Sequence, residues 1–154
     1  MAERAPGVMN AFDGVEVLLV EDNQQDADLI MLAFKKGKLL NKLFWVKDGL
    51  EAMDFVGGTG AYAARDVGQV PRLILLDMVM PRMDGLDVLR ALKADAKTRA
   101  IPVVVMTVSN QERDLSDCYA LGANGFVTKP IGLKELTEAV SKIGMYWLLV
   151  NRQA

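Results

Sequence analysis

The sequence predicts an α/β protein in which a parallel sheet carries helices on both faces. Short apolar runs and amphipathic stretches alternate five times along the 154 residues. Two of the runs, LILL at 73–76 and VVVM at 103–106, are apolar at every position, as expected for central strands buried on both sides. The length is sufficient for one domain with one core.

The strands are expected where short apolar runs are bounded by polar or turn-forming residues. They are expected at 15–20, 43–46, 73–76, 103–106 and 124–127. Residues 1–13 contain no such run and are interpreted as a loose tail. Residues 14–154 then form the domain.

Helices are expected after each strand, with boundaries marked by capping residues. Gly37 and Gly122 end the first and fourth helices, Asp48 caps the second, and Asp84-Gly85 opens the third. The helices are expected at 24–36, 49–56, 85–94, 110–121 and from 133 onward. The connection at 57–71 is long for a compact domain, and we expect part of it to form a short helix.

Composition excludes several classes of function. Lys and Arg number 18 against 20 Asp and Glu, and the charges are interspersed, so nothing supports nucleic-acid binding. There is no histidine and one cysteine, Cys118, which excludes a Ser-His-Asp triad, a histidine zinc site and an intrachain disulfide. Neither a membrane span nor a signal-peptide core is visible, so a cytoplasmic protein is expected.

The candidate site lies where the strands end, because ligands of open α/β sheets bind at the carboxyl ends of the strands. Glu21-Asp22, Asp77, Thr107 and Lys129 follow or end the first, third, fourth and fifth strands. Three carboxylates in one small site repel each other unless a cation joins them. Oxygen ligands favour Mg²⁺ or Mn²⁺.

This donor set suits phosphoryl transfer. A carboxylate can attack a phosphoryl donor and form an aspartyl phosphate, whose charge the metal, Lys129 and the Thr107 hydroxyl would balance. Each residue alone has an ordinary explanation as a helix cap, a strand residue or a solvated loop residue. Their joint occurrence at four strand ends favours the functional interpretation.

Four motifs carry a resemblance to a known family. The segments VEDN (20–23), LILLDMVMPRMDG (73–85), IPVVVMT (101–107) and GANGFVTKP (122–130) resemble those of two-component response regulator receiver domains. The resemblance implies a flavodoxin-like (βα)₅ fold with strand order 2-1-3-4-5. It also implies a phosphoacceptor rather than a metabolic enzyme, one that takes a phosphoryl group from the phosphohistidine of a sensor kinase and catalyses its own dephosphorylation.

The resemblance assigns a role to each candidate residue around the metal. Asp77 is the phosphorylation site, Asp22 a direct Mg²⁺ ligand and Glu21 a ligand through water. The backbone carbonyl of Val79 is the third protein ligand. Because valine cannot orient an attacking water, slow to moderate self-dephosphorylation is expected.

The resemblance also implies a conformational switch. Lys129 and Thr107 would contact the phosphoryl group, and Phe126, three positions before the lysine, would swing inward as Thr107 moves. An ordinary core position in the fifth strand is the plain alternative for Phe126. The surface affected would be that of the fourth helix, fifth strand and fifth helix.

The C-terminal segment is apolar on more than one side. A core-facing stripe at helical spacing consists of Leu136, Val140, Ile143 and Trp147, and other faces add Met145, Tyr146, Leu148, Leu149 and Val150. A homodimer or partner interface is expected, and a helix folded back on its own domain is the alternative. The chain stops soon after this helix, so we expect no output module and signalling through an unknown downstream protein. The segment 57–71 and the pattern DG-EAM-F at 48–55 resemble single-domain regulators of phytochrome-type kinases.

Three other interpretations fit parts of the same residue set. Haloacid dehalogenase phosphatases also place an aspartate after an apolar strand, but they typically need a second acid where Val79 stands. A receiver-like scaffold that is never phosphorylated is disfavoured by the full set of Asp22, Asp77, Thr107 and Lys129. A phosphate sink that only drains a kinase remains open.

Overall fold

The computed structural model describes residues 14–108, 112–129 and 132–149, with side chains described except at 112–115 and 143–149. The expected tail at 1–13 therefore lies outside the described residues. Strands and helices alternate in the described part of the chain. The strands are β1 Val17–Val20, β2 Leu43–Val46, β3 Leu73–Asp77, β4 Val103–Thr107 and β5 Gly125–Thr128. The helices are α1 Gln24–Lys36, α2 Gly49–Gly57, α3 Gly85–Ala94, α4 Glu112–Ala120 and α5 Leu133–Leu149.

The strands form one parallel sheet in the order β2-β1-β3-β4-β5, which confirms the expected fold. In this register Val20 stands beside Val46 on one side and Leu76 on the other. The chain passes from β1 outward to β2 and then crosses back to β3, so the strand order reverses between β1 and β3. Such a switch point opens a crevice at the carboxyl ends of the strands, where ligands bind.

Alternate strand residues supply two cores, one on each face of the sheet. On the first face the strands pack against α1 and α5. Its buried members are Val17, Leu19, Leu75, Met106, Ala27, Ile30, Ala33, Phe34, Leu136 and Val140. On the second face the strands pack against α2, α3 and Cys118 of α4. Because both faces are covered, β1, β3 and β4 are apolar almost throughout.

Most boundaries agree with the sequence-based expectation, and the differences have simple causes. The first strand begins at Val17 rather than at residue 15, although Glu16 still donates its N–H to the Lys42 carbonyl. The third and fourth strands extend one residue further, because Met78 N bonds Met106 O and Lys129 N bonds Thr107 O. Those bonds bring Asp77 and Thr107 into the sheet itself.

The long connection after α2 is anchored to that helix. It contains one short 3₁₀ turn, Gly60–Tyr62, as the sequence led us to expect. The Tyr62 hydroxyl donates to Glu51 over 2.5 Å. The Arg65 guanidinium stacks on the Phe55 ring and donates to the Phe55 carbonyl.

No helix in the described ranges is both long enough and apolar enough to cross a bilayer.

Candidate functional site

The candidate site lies at the carboxyl edge of the sheet, where the sequence analysis placed it. Glu21 and Asp22 follow β1 directly, Asp77 ends β3, Thr107 ends β4, and Lys129 follows β5. Since β1 and β3 are neighbours, the parallel register places their ends side by side. The local sequence thus supplies the functional groups, and the strand order brings them together.

Three carboxylates meet at this edge. One oxygen each from Glu21, Asp22 and Asp77 lies within 4.8 Å of the other two. Glu21 and Asp77 are buried, whereas Asp22 is exposed. Like charges this close repel each other strongly in a partly buried site, so the set fits a hard divalent cation with oxygen ligands.

Lys129 supplies a cation beside these carboxylates. Its Nζ lies 2.6 Å from Glu21 Oε1, 2.9 Å from Asp26 Oδ2 and 3.4 Å from Asp77 Oδ1. The Lys129 side chain is only 8% exposed, so water screens these ion pairs weakly. The lysine therefore joins Glu21, which follows β1, and Asp26 of α1 to Asp77, which ends β3.

Glu21 is fixed by further bonds. Its Oε2 accepts the backbone N–H of Asn23 over 3.1 Å. Its backbone carbonyl accepts the indole N–H of Trp45, in β2, over 2.7 Å. Oε2 of Glu21 thus has a hydrogen-bond donor and Oε1 an ion-pair partner in Lys129, whereas the carboxylate of Asp22 is exposed.

Burial and neighbouring charge perturb the titration of this site. Burial, together with the hydrogen bond and the negative charge of Glu21, raises the pKa of Asp77 to about 8. Burial alone would lower the pKa of Lys129, but its ion pairs with Glu21 and Asp26 raise it instead. The charge of Lys129 opposes this rise only in part, so the site favours a protonated Asp77 unless further positive charge is brought close to it.

The other expected residues lie around this centre. Thr107 is buried, and its backbone carbonyl accepts the Lys129 N–H over 2.7 Å. Val79 lies in the loop after β3 and is 72% exposed. Phe126 is half-buried in β5, and its ring meets Tyr119 of α4 edge-on with 4.5 Å between centroids. Phe126 thus lies between the second core and the surface of α4.

The loop after β3 is held close to Asp77. The N–H of Gly85 donates to the Met78 carbonyl over 2.9 Å. A side chain at this position would bring a Cβ within 2.4 Å of the Asp77 carbonyl oxygen, so only glycine fits. On the other side, Arg82 pairs with Asp48, the residue that caps α2.

Sequence reasoning missed two residues of the site. Asp26 lies in the first turn of α1, where an acidic residue is common for its effect on the helix dipole alone, so its contact with Lys129 gave no separate signal. Trp45 stands inside β2, and none of the candidate residues lies at the end of that strand. Both contacts depend on the tertiary arrangement.

The residues expected at an interface belong to α5, and their side chains lie outside those that the structure describes. They are Tyr146, Trp147, Leu148 and Leu149. Of the core-facing stripe, Leu136 and Val140 are buried between α5 and the sheet. The expectation of an interface at this segment stays a prediction.

Comparison with known proteins assigns the family. The model of the response regulator receiver domain matches residues 17–141, which include every group at the carboxyl edge of the sheet. The chain therefore belongs to the response regulator receiver domain family. This membership gives no support to the phosphatase interpretation.

Relatives of similar length are found among both curated proteins and solved structures. The probable methanogenesis regulatory protein FilR2 of Methanothrix harundinacea is 38% identical, over 94% of this chain and 91% of its own. Response regulator Rcp1 of Synechocystis is 38% identical, over 86% and 88% of the two chains. A solved structure of Rcp1 in its Mn²⁺-bound form has a TM-score of 0.73 at 37% identity and covers 87% of this chain and 94% of that chain.

A third relative is a cyanobacterial phytochrome response regulator, RcpA, solved in its phosphorylated form. It has a TM-score of 0.74 at 38% identity and covers 86% of this chain and 92% of that chain. The likeness thus extends over most of both chains.

Proposed function

We propose that this protein is a phosphoacceptor in a two-component phosphorelay and that Asp77 receives the phosphoryl group. The observation that carries the proposal is the meeting of Glu21, Asp22 and Asp77 at one edge of the sheet, with Lys129 paired to Glu21 and Asp77. The set combines a nucleophilic carboxylate, ligands for a hard cation and a buried ammonium group. Membership of the receiver family and the phosphorylated state of RcpA support the same conclusion.

The metal proposed is Mg²⁺. Asp22 and Asp77 would hold it directly, with the Val79 carbonyl as a third ligand and Glu21 acting through water. When bound, the cation neutralises the carboxylates and the phosphoryl oxygens. The clustering of three carboxylate oxygens within 4.8 Å fits such an ion, and the Mn²⁺ held by Rcp1 is of the same hard class.

Asp77, Lys129 and Thr107 each have a role in the transfer of the phosphoryl group. A carboxylate oxygen of ionised Asp77 attacks phosphorus, an O–P bond forms, and the N–P bond of the kinase phosphohistidine breaks with its electron pair returning to the imidazole. The ammonium of Lys129 and the hydroxyl of Thr107 donate to the phosphoryl oxygens as charge develops on them.

The signal would follow from the added charge, roughly −1.5 to −2. Movement of Thr107 toward the phosphoryl oxygens would leave space into which Phe126 turns, away from its edge-on contact with Tyr119. That contact joins β5 to α4, so the change would reach the α4-β5-α5 surface. A shift of a few kcal/mol between two pre-existing states suffices.

The proposed partners are a sensor histidine kinase upstream and an unknown protein downstream. The likeness to RcpA, a phytochrome response regulator, favours a phytochrome-type photoreceptor as the kinase. A cytoplasmic location and a homodimer are parts of the same proposal.

The test is chemical modification with a small phosphodonor. The protein is incubated with acetyl phosphate with and without Mg²⁺, and the intact mass is recorded beside Asp77→Asn and Asp87→Asn. Asp87 is the matched control, since it is an exposed aspartate of α3 paired with Arg90. A phosphoryl-sized mass gain that needs Mg²⁺ and is lost only in Asp77→Asn is expected. A gain that persists in Asp77→Asn, or no gain in the wild type, would overturn the proposal.

A further inference from the structure

Asp26 contacts Lys129 although it belongs to none of the strand ends that build the site. We propose that Asp26 is a positioning residue that restrains Lys129 in the unphosphorylated protein and releases it when Asp77 carries a phosphoryl group. This inference rests on the proposed function. Its starting point is the 2.9 Å ion pair between Asp26 Oδ2 and Lys129 Nζ.

The ammonium group of Lys129 is shared unequally among its neighbours. Its Nζ forms two close ion pairs, with Glu21 Oε1 at 2.6 Å and with Asp26 Oδ2 at 2.9 Å. Asp77 Oδ1 lies further away, at 3.4 Å. Lys129 is thus drawn toward Glu21 and Asp26 and away from the phosphoacceptor.

A phosphoryl group on Asp77 requires Lys129 to shift. The new group carries roughly −1.5 to −2 charges and needs a short contact from the ammonium. One of the two present ion pairs must lengthen as the lysine turns toward it. The two carboxylates differ in how easily they can give up this partner.

Asp26 is the partner that can be released at the lower cost. Glu21 is fully buried, and without Lys129 it would keep an uncompensated charge inside the protein. The side chain of Asp26 is 28% exposed, so water can solvate its carboxylate once the lysine leaves. Asp26 therefore favours the unphosphorylated state without contacting the reacting atoms.

The backbone of Asp26 is held independently of its carboxylate. Its N–H donates to Oδ1 of Asn23, the residue that caps α1, over 2.9 Å. An Asp26→Asn substitution keeps this bond and nearly the same side-chain volume while it removes the charge. The substitution should thus change the partner of Lys129 and leave the helix in place.

A matched control lies on the same helix. The Asp28 carboxylate accepts a hydrogen bond from Gln24 Nε2 over 2.8 Å and is exposed. Asp28→Asn removes the same unit of charge from α1 by the same chemical change. Asp26→Glu restores the charge on a longer side chain and is the conservative variant.

The test measures the affinity of the full-length protein for beryllofluoride at saturating Mg²⁺. We expect Asp26→Asn to bind about three- to tenfold more tightly than the wild type, as expected for the loss of a partly exposed ion pair. Asp28→Asn should stay within about twofold of the wild type, and Asp26→Glu should return most of the way to it. A merely structural role for Asp26 would not give tighter binding that the conservative variant reverses.

Two results for Asp26→Asn would disprove the proposed restraint of Lys129. If Asp26→Asn behaves like Asp28→Asn, or binds beryllofluoride more weakly than the wild type, the restraint is disproved. Circular dichroism checks folding, and Asp26→Ser serves as the second variant if Asp26→Asn is unfolded. A wild-type protein that binds no beryllofluoride with Mg²⁺ would instead overturn the proposed function, before any Asp26 variant is compared.

Discussion

Single residues at the carboxyl edge of the sheet carry the chemistry, and Asp77 is the most strongly perturbed of them. It is buried beside Glu21, and this environment raises its pKa to about 8. A protonated carboxyl group is neither a nucleophile nor a good metal ligand. Metal binding and ionisation of Asp77 must therefore be linked.

We expect the affinity for Mg²⁺ to rise with pH. Proton and metal compete for the same carboxylate, so below pH 8 the affinity should increase by up to about tenfold for each pH unit and then level off. Calorimetric titrations from pH 6 to 9 measure this, and the heat in buffers of different ionisation enthalpy gives the protons released. Asp77→Asn should show a much flatter profile. Equal wild-type affinities at pH 6 and pH 8 would contradict the linkage.

The side chain of Val79 is expected to influence how fast phosphate is lost from Asp77. It stands 72% exposed two residues after Asp77, where an apolar side chain cannot orient water toward a phosphoryl group. Val79→Asn should therefore speed the loss of phosphate from Asp77, on the order of tenfold, because an amide can hold the attacking water. The decay is followed by intact mass after the phosphodonor is removed. Val79→Leu is the apolar control, and a decay equal in all three proteins would count against the idea.

At the scale of elements, close approaches between loops and strand ends position the site. The amino end of α3 begins directly against the end of β3, since Gly85 leaves no room for a side chain beside the Asp77 carbonyl. The amino end of α2 is tied to the same loop by the pair of Asp48 and Arg82. These contacts place the loop that carries Val79.

Gly85→Ala should destabilise the protein and impair modification of Asp77. The added methyl group would meet backbone atoms of Asp77 and Met78, and such overpacking typically costs about 1–3 kcal/mol of the free energy of unfolding. Gly57→Ala is the control, because it lies in α2 with only the Thr59 hydroxyl oxygen near, at 4.0 Å. That variant should be neutral or up to about 1 kcal/mol more stable. Urea denaturation measures both, and equal stabilities would refute the argument.

At the scale of the whole molecule, the sheet lies between two hydrophobic cores, and the site lies at the carboxyl edge of the sheet. Lys129 follows β5, at one edge of the sheet, yet its ion pairs reach residues next to β1 near the other edge. A change at Asp77 can therefore reach both the α1 side and the α4-β5-α5 surface. The ion pairs of Lys129 thus give the proposed phosphorylation of Asp77 a physical route to both surfaces.

The continuation of α5 gives a prediction about assembly. The family match ends at residue 141, but the helix continues to Leu149 through the apolar residues 145–149. We expect a homodimer through this segment, since a helix with apolar residues on several faces needs cover on more than one side. Sedimentation at high micromolar concentration should show a dimer, and Trp147→Glu with Leu148→Glu should shift it to a monomer. A wild-type monomer under these conditions, phosphorylated or not, would refute the interface.

Local patterns in the sequence are sufficient to predict the strands, the helices and the chemical groups of the site. Apolar runs such as LILL and VVVM predict strands locally, and Asp77, Thr107 and Lys129 occur at strand ends that any parallel arrangement collects at one edge. The motifs then carried the family, which the comparison confirmed. These features could be predicted because hydrophobic periodicity and capping act over a few residues.

Which side chains contact each other depends on the tertiary structure. The bond from Trp45 to the Glu21 carbonyl joins residues 24 positions apart, and the pair of Asp26 with Lys129 joins α1 to the end of β5. The raised pKa of Asp77 likewise comes from burial and from neighbours that belong to other strands. Contacts between segments far apart in the sequence, such as these at 2.7 and 2.9 Å, depend on how the helices pack on the sheet, and no local pattern in the sequence encodes them.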